Sequence, residues 1–494
     1  MSNNNTKLKR SLGLSALLAT GICSMLGASI NVVPFMIQRN VQGIDSYVLP
    51  AFIFAMIPAL FAALAYGALS SAMPRAGGSY IYASRGLNPY LGFIASFSQW
   101  FGLSIVIGVI AYICVSFIRD VVSGLGFIEG ALLFELPIIR IAVSLSLIWI
   151  FVFINIQGIV AYKKTLLPMM YLMFFFGFIV IIAGFYFDAN DFVAAVQAKE
   201  NKVIEINSVS RFDWRVFLSA SALLFSSFIG FDSIAQAGSE AKDPSKTLPR
   251  AIFLAIFLVG CFYFLFTSAV YNTVPWSYVA EESQLKDISA PGLMSYVLPS
   301  WLGVAIVLGA AIALINDLPA MLLSVSRLMF AWAEDGIFPS QISKIHPKNH
   351  TPHIALIVAG FMASIGALGS QFAGDFFLGI DIMVTSMMIN FLLMCVTLIT
   401  IPKVNPLLAN KISVIKNRNQ QLIIGILGVV FLTLFLAVHT YKDMTSDVSS
   451  WFFRSTPVWL IVMGLGSLIF SIKWREIGLT SKDQYSRFKS LPKE

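Results

Sequence analysis

Charged residues are scarce in this sequence, and no segment between its hydrophobic runs is long enough to form a soluble domain. Only 12% of the 494 residues are Asp, Glu, Lys or Arg, whereas 57% are hydrophobic. The hydrophobic residues form long runs without an amphipathic period, and about 20 apolar residues in a helix cross the ~30 Å hydrocarbon core of a bilayer. These runs are too long for the roughly ten-residue alternating strands of an outer-membrane barrel. The sequence therefore predicts an all-α integral membrane protein.

Cysteine and histidine are also rare, with four residues of each. All four cysteines lie inside predicted spans, which favours packing as small apolar residues over a disulfide framework. The histidines of "HPKNHTPH", residues 346 to 353, are close in sequence, but two prolines prevent a regular helical face, so we expect no metal site. No Walker A loop, HExxH or GxSxG motif is present, so neither ATP drive nor hydrolysis is indicated. The sequence predicts a protein that is not an enzyme and that needs no cofactor.

The hydrophobic runs predict twelve membrane-spanning helices. The first run is too long for the apolar part of a cleaved signal peptide, so we expect it to insert as a span. The predicted spans cover approximately residues 12 to 38, 46 to 73, 90 to 119, 138 to 161, 165 to 187, 214 to 238, 250 to 272, 299 to 331, 353 to 371, 376 to 401, 420 to 440 and 455 to 474. They leave short terminal tails at residues 1 to 11 and 475 to 494.

The positions of the basic residues predict the orientation of the chain. With twelve spans, 23 of the 33 Lys and Arg residues fall on the side of the N-terminus. Cytoplasmic loops carry the excess of Lys and Arg, so both termini are predicted to be cytoplasmic, in a multi-pass protein of the cell membrane. The net charge of +8 then reflects loops that face anionic lipid, and no nucleic-acid partner is expected.

The first span contains a segment that is poor in lipid-facing residues, "GICSMLGAS" at residues 21 to 29. Small residues such as Gly21, Ser24 and Gly27 make unwinding easy and let a ligand approach the main chain. A helix at membrane depth loses backbone hydrogen bonds only where buried protein or a water-filled cavity satisfies the freed groups. The alternative is a small-residue face for close helix packing.

A second such segment, "FSSFIGFDS" at residues 225 to 233, lies in the sixth span, five spans after the first. Two interruptions at corresponding points of two five-span halves predict an inverted-repeat transporter with its site near the membrane midplane. Free N–H groups at half-helix N-termini suit a carboxylate, and exposed carbonyls suit an ammonium group. We expect the amides of Ser24 to Ala28 to bind a substrate carboxylate, and the carbonyls around Ile22 and of Ser226 to Ile229 to bind its amine. The predicted substrate-binding residues are Ile22, Cys23, Ser24, Met25, Leu26, Gly27, Ala28, Ser226, Ser227, Phe228, Ile229, Gly230 and Phe231.

Four residues in the spans are candidates for proton or ion coupling: Asp232, Asp317, Ser324 and Ser326. A carboxylate at the bilayer centre costs ~2.5 to 3.5 kcal/mol, so each one requires a reason. Asp232 either binds a cation or proton or serves as a structural carboxylate bonded to N–H groups of the broken helix. Asp317 acts on the substrate or a proton, or belongs to a packing network. The serines help hold an ion near the first interruption or bond to their own helix backbone.

Three longer segments make the sequence resemble the amino acid-polyamine-organocation (APC) superfamily. They are "MPRAGGSYIYASRGLNPYLGF", "GFDSIAQAGSEAKDPSKTLPRAI" and "SRLMFAWAEDGIFPSQISKIHPKNHTPHIAL", and the resemblance extends from about residue 12 to 400. It implies a LeuT-type fold with repeats at residues 12 to 187 and 214 to 401, discontinuous helices 1 and 6, and two further helices within residues 420 to 474. It also implies alternating access and transport of amino acids or amines.

The sequence departs from the family pattern at two places. In the first interruption Cys23 and Ser29 replace two glycines and Asn31 replaces an aromatic residue. Met173 lies near the position of a fifth-span lysine that some proton-coupled members carry. These departures leave the substrate class and the coupling mode undetermined.

The sequence therefore predicts a secondary active transporter, a symporter or exchanger, of amino acids. Neutral and cationic amino acids are the leading substrates, because two carboxylates lie near the predicted site. The coupling partner is a proton, sodium or a counter-substrate. Alternatives are a polyamine or organic amine transporter, a transporter-like amino acid sensor, and an ion channel, which broken helices gated at both ends do not favour.

Overall fold

The computed structural model describes residues 7–204, 211–373, 377–480 and 485–492. The side chain of Ala28, one of the predicted substrate-binding residues, lies outside the described part. The α-helices in chain order are α1 Leu14–Asn31, α2 Val33–Asn40, α3 Val48–Ala72, α4 Gly78–Gly86, α5 Pro89–Gly124, α6 Ile128–Leu133, α7 Pro137–Ile156, α8 Ile159–Tyr186, α9 Ala189–Glu200, α10 Trp214–Leu224, α11 Asp232–Gln236, α12 Pro244–Thr273, α13 Trp276–Leu285, α14 Ala290–Met294, α15 Ser300–Glu334, α16 His353–Ala373, α17 Phe377–Val404, α18 Pro406–Ala409, α19 Arg418–Thr445 and α20 Ser455–Thr480.

The regular structure of the described residues is helical apart from two isolated β-bridges. Eleven helices in this part of the chain are long and apolar enough to cross a membrane. Their positions match the second to twelfth predicted spans, which confirms the all-α, multi-span class. The first predicted span corresponds to α1 and α2 together, and the count of twelve stays a prediction.

The interruption of the first span is not where the sequence predicted it. Helix α1 runs through residues 21 to 29 and ends at Asn31, and the helical backbone is interrupted at Val32, between α1 and α2. Pro34 lies in the first turn of α2 and supplies no N–H to Ile30, so the α-helical ladder stops there. The prediction of an unwound segment at residues 21 to 29 was wrong in position.

The small residues of α1 serve close packing instead. A Cβ atom added to Gly21 would lie 2.5 Å from Ile234 Cδ1, and one added to Gly27 would lie 1.9 Å from a carboxylate oxygen of Asp317. Neighbouring elements therefore touch the helix backbone at both glycines. This is the packing alternative that the small-residue pattern also allowed.

The boundary between the fourth and fifth spans also differs from the sequence prediction. Gly158, with φ +113°, separates α7 from α8, and any residue with a side chain is disfavoured there. The fifth span therefore begins at Ile159, and Lys163 and Lys164 lie within its helix instead of in a loop.

The most deeply buried spans lie at the centre of the bundle. In the most apolar part of α5 and of α15, 83% of the residues are buried, and in that of Trp214–Gln236 the buried share is 89%. The corresponding share is only 22% in α7 and in Ser455–Leu479. Large apolar side chains on the outer helices, such as Ile138 and Phe372, are exposed and suit contact with lipid.

Both ends of the described chain lie at the same end of the bundle. The Lys7 carbonyl contacts the ring of His350, and the Pro492 carbonyl accepts a hydrogen bond from Arg75. Residues 75 and 350 lie in the connections after α3 and after α15. The predicted twelve crossings, an even number, would give this arrangement.

Candidate substrate site

The predicted interruption of the sixth span is confirmed. Helix α10 ends at Leu224, a 3-10 turn covers Phe225–Phe228, Ile229 is extended, and α11 begins at Asp232. Gly230 lies between them with φ +141°, a conformation that disfavours any side chain. The small residue at this position therefore allows the chain to change direction inside the bundle.

The interruption lies directly against α1. A Cβ atom added to Gly230 would lie 2.4 Å from the Ser24 carbonyl oxygen. The Tyr263 hydroxyl on α12 is within hydrogen-bonding distance of the carbonyls of Met25 on α1 and of Ser227 in the 3-10 turn. Since one hydroxyl proton is shared by two acceptors, Tyr263 joins the two segments.

On its other side, α1 contacts α15 through buried polar groups. The Gly27 N–H of α1 donates to the Asp317 carboxylate of α15 at 3.1 Å. Within α1, the Asn31 side-chain amide donates to the Gly27 carbonyl at 3.0 Å. One turn earlier, the Asn316 amide donates to the Cys23 sulfur at 3.0 Å. The first segment is therefore held by side-chain partners on α15 as well as by its own helix.

A small cavity lies where α1, the sixth-span interruption and α15 meet. Its volume is about 20 Å³, room for about one water molecule. Its polar wall comprises Ser24, Ser29, Ser226 and Asp317. The remaining wall is aliphatic and comprises Val33, Val106, Val109, Ile110, Ile113, Ile229, Met321, Ile380 and Met383.

Two hydroxyl groups in this wall have no protein partner within the described residues. They belong to Ser24 and Ser226, which are both 2% exposed. A buried hydroxyl without a partner costs free energy unless a ligand or water satisfies it. The cavity therefore offers two unused hydroxyls and one carboxylate to a small polar ligand.

The contacts of Asp232 are those of a structural carboxylate, the predicted alternative to cation or proton binding. Its carboxylate accepts from the Gly230 N–H at 3.1 Å and from the Gln99 side-chain amide of α5. Gln99 in turn is bonded to Ser79 and Gln236. Asp232 is absent from the cavity wall and ties the interruption to α4 and α5. A coupling role for it stays a prediction.

The two predicted ion-site serines on α15 lie apart from the cavity. Ser326 donates to the Leu323 carbonyl at 2.8 Å and accepts from Arg327 at 2.9 Å. Ser324 is buried and lies two helical turns beyond Asp317 in the chain, about 10 Å along the helix axis. Ser326 therefore follows the backbone-bonding alternative.

The remaining predicted site residues pack around the interruption. Phe228 contacts the rings of Phe52 and Tyr263, and Phe231 stacks on Phe391 at 5.0 Å between centroids. Ile22, Cys23, Met25 and Leu26 are buried within α1. Of the predicted substrate-binding residues whose side chains the structure describes, only Ser24, Ser226 and Ile229 line the cavity.

Sequence reasoning missed Tyr263 and Gln99. Each is a polar side chain fully buried in a long apolar helix, and such isolated polar residues are costly in a membrane without partners. That cost was a usable signal, although it does not identify the partner.

Two buried ion pairs hold the end of the bundle that carries the termini. Arg327 and Glu240 are bonded at 2.6 and 3.0 Å, and Arg85 and Asp335 at 2.6 and 3.0 Å. These four residues lie in the segments that carried the resemblance. The planar guanidinium matches a carboxylate with two parallel hydrogen bonds, which fixes the position of each connection.

The helical fold and the broken span at its centre define a multi-span membrane transporter. Residues 12–465 match the family model described as amino acid permease. The chain belongs to the amino acid permease family, whose members are transporters and not enzymes.

The chain is similar to several permeases of known type. It is 26% identical to the branched-chain amino acid permease BcaP of Bacillus subtilis, over 75% of this chain and 76% of that protein. It is 25% identical to the low-affinity putrescine importer PlaP of Escherichia coli, over 79% of each chain. It is also 25% identical to cationic amino acid transporter 4 of Mus musculus, over 74% of this chain and 56% of the mouse protein. These relationships support transport of an amino acid or amine by a multi-pass protein of the plasma membrane.

Proposed function

We propose that this protein is a secondary active transporter that carries amino acids or organic amines by alternating access. The observation that carries the proposal is the cavity between α1, the interruption at residues 229 to 231 and α15. It combines a carboxylate, two unpartnered hydroxyls and an aliphatic wall. Such a cavity, buried among membrane-spanning helices, suits a small molecule with one charged end and one apolar end.

The site of the proposal differs from the one that the sequence suggested. Because α1 is wound through residues 24 to 28, its amides do not form an open carboxylate-binding turn. Asp317 and the hydroxyls of Ser24 and Ser226 receive the substrate ammonium group. The carbonyls of the interrupted sixth span add further acceptors as the site opens.

The size of the cavity supports a conformational cycle. A volume of about 20 Å³ is far too small for an amino acid, so the walls must separate to admit substrate. The sixth-span interruption supplies a joint at which α10 and α11 can move separately. Phe228 and Phe231, which flank Gly230, are the proposed gate.

The names of the similar permeases support a substrate with a primary amine, which branched-chain and cationic amino acids and putrescine share. The aliphatic wall favours an apolar body. We further propose that residues 12 to 187 and 214 to 401 are the two halves of an inverted repeat and that both termini are cytoplasmic. Lys and Arg placement supports this orientation.

Flux into proteoliposomes tests the proposal. Purified protein is reconstituted and uptake of labelled leucine, lysine, putrescine and isoamylamine is measured with a pH gradient, with a sodium gradient, or with the same solute inside. Saturable uptake driven by one of these three conditions identifies proton symport, sodium symport or exchange. Protein-free liposomes are the control.

Two outcomes would contradict the proposal. Binding of these solutes without flux under any condition would favour the sensor alternative. Unitary currents in planar bilayers would favour the channel.

A further inference from the structure

We propose that the site prefers a small aliphatic primary amine without a carboxylate over the corresponding amino acid. The inference rests on the proposed function, because it concerns the ligand of the same site. Its basis is the Asp317 carboxylate, which accepts from the Gly27 N–H at 3.1 Å. Gly27 belongs to the segment Ser24 to Ala28, whose amides were expected to bind a substrate carboxylate, so an internal carboxylate is bonded to one of those amides.

The interruption of the sixth span contains a similar contact. The Gly230 N–H, just before α11, donates to the Asp232 carboxylate at 3.1 Å. Two N–H groups at the start of α11, those of Ser233 and Ile234, donate to the carbonyls of Gly230 and Phe231. Both interrupted spans thus direct an N–H toward an acidic side chain of the protein itself.

The wound state of α1 removes the other donors. In a continuous α-helix, each N–H beyond the first turn donates to the carbonyl four residues earlier. Helix α1 begins at Leu14, so the N–H groups of residues 24, 25, 26 and 28 are well inside it. A substrate carboxylate would have to displace Asp317 or unwind the helix.

Electrostatics act in the same direction. No Lys, Arg or His lies among the described residues that line the cavity. A second carboxylate beside Asp317 in a closed apolar space would repel it, whereas an ammonium group would neutralise it. The three N–H donors of the ammonium match Asp317 and the unpartnered hydroxyls of Ser24 and Ser226.

The rest of the wall defines the body of the ligand. Val106, Val109, Ile110 and Ile113 of α5 and Met383 of α17 are aliphatic. Among the described lining residues, Asp317 is the single acidic one. A branched alkyl chain fits this wall. A diamine would bring a second ammonium group with no carboxylate to pair with it.

Thermal stabilisation of the purified full chain tests the inference with three probes: isoamylamine, which is leucine without its carboxylate, leucine itself, and putrescine. We expect isoamylamine to stabilise the protein at a half-maximal concentration at least about tenfold below that of leucine or putrescine. Asp317→Ala removes the internal carboxylate and opens the Gly27 N–H. We expect this variant to reverse the preference, so that leucine binds better than isoamylamine.

Asp317→Asn keeps the side-chain shape and should lose at least about tenfold in isoamylamine affinity. This variant tests the inference even if the alanine variant is not monodisperse. Gly369→Ala is the matched control, since a Cβ at Gly369 has no heavy atom within 4 Å. Leucine binding equal to or tighter than isoamylamine binding in the unmodified protein would overturn the inference, as would unchanged isoamylamine affinity in Asp317→Asn. If the protein binds isoamylamine but does not transport it, the proteoliposome assay will show no flux. That result would contradict the proposed transport function and leave the inferred ligand preference intact.

Discussion

The carboxylate of Asp317 occupies the space that a side chain would fill at Gly27. A Cβ atom at Gly27 would lie 1.9, 2.3 and 2.5 Å from the three carboxyl atoms of Asp317. Because Asp317 is buried on α15, it has little room to retreat. The packing of α1, in the first span, therefore depends on the position of Asp317 on α15, the eighth span.

Replacing Gly27 with alanine should destabilise the fold by about 1–3 kcal/mol, the usual cost of overpacking, and should reduce uptake because the Asp317 carboxylate is displaced. Uptake of the labelled substrate in proteoliposomes is the measurement. Gly369→Ala, at an open position, should transport normally. Normal uptake by Gly27→Ala would show that the Asp317 contact is not part of the site.

Replacing Gly230 with alanine should separate the sixth-span interruption from α1. The residue has φ +141°, and a Cβ would lie 2.4 Å from the Ser24 carbonyl oxygen. Strain at such a conformation costs ~1–3 kcal/mol before the steric clash is counted. We expect a lower melting temperature and loss of uptake, and a variant that melts like the parent would contradict the described backbone.

Replacing Tyr263 with phenylalanine should weaken the connection between α1 and the 3-10 turn while leaving packing intact. The hydroxyl serves the Met25 and Ser227 carbonyls, and leaving buried acceptors unpaired costs about 1–3 kcal/mol. The measurement is the melting temperature together with the uptake rate. Tyr171→Phe on α8, where the ring is 64% exposed, is the control that should change neither.

Replacing Arg327 with methionine should destabilise the end of the bundle that carries the termini. The change leaves the Glu240 carboxylate buried without its guanidinium, and breaking such a pair costs about 3–5 kcal/mol. Thermal unfolding in detergent measures the effect. The double variant Arg327→Met, Glu240→Gln should recover part of the loss, and equal melting of the single variant and the parent would contradict the described pair.

Replacing Phe488 with alanine should release the C-terminal segment 485–492 from the bundle. The ring lies 5.0 Å from the Arg85 guanidinium carbon and packs on Trp474, while the Ser490 carbonyl accepts from Arg85 at 3.3 Å. We expect faster tryptic cleavage after Arg487 and Lys489, followed by mass spectrometry. Leu479→Ala, at a position 89% exposed, should leave the cleavage rate unchanged, and equal rates in all three proteins would show that Phe488 does not hold the segment.

Most of the span boundaries were predictable, because membrane-spanning length depends on local apolar content. Eleven predicted spans have a matching long helix, and the sixth was correctly expected to break near Gly230. That break has a local signature, since a glycine with positive φ lies beside a carboxylate that accepts from its N–H. The roles of Tyr263 and Gln99 were not predictable, because their partners are 36 to 238 and 20 to 137 positions away in the chain.

The sequence by itself determined the membrane class, the helical architecture and the sixth-span interruption, all of which follow from residues within one run. Tertiary structure decided whether the small residues at 21 to 29 unwind or pack. The same glycines allow both outcomes, and the choice depends on what lies opposite them. Here Ile234 contacts Gly21 and the Asp317 carboxylate contacts Gly27, so α1 stays wound and its break falls at Val32.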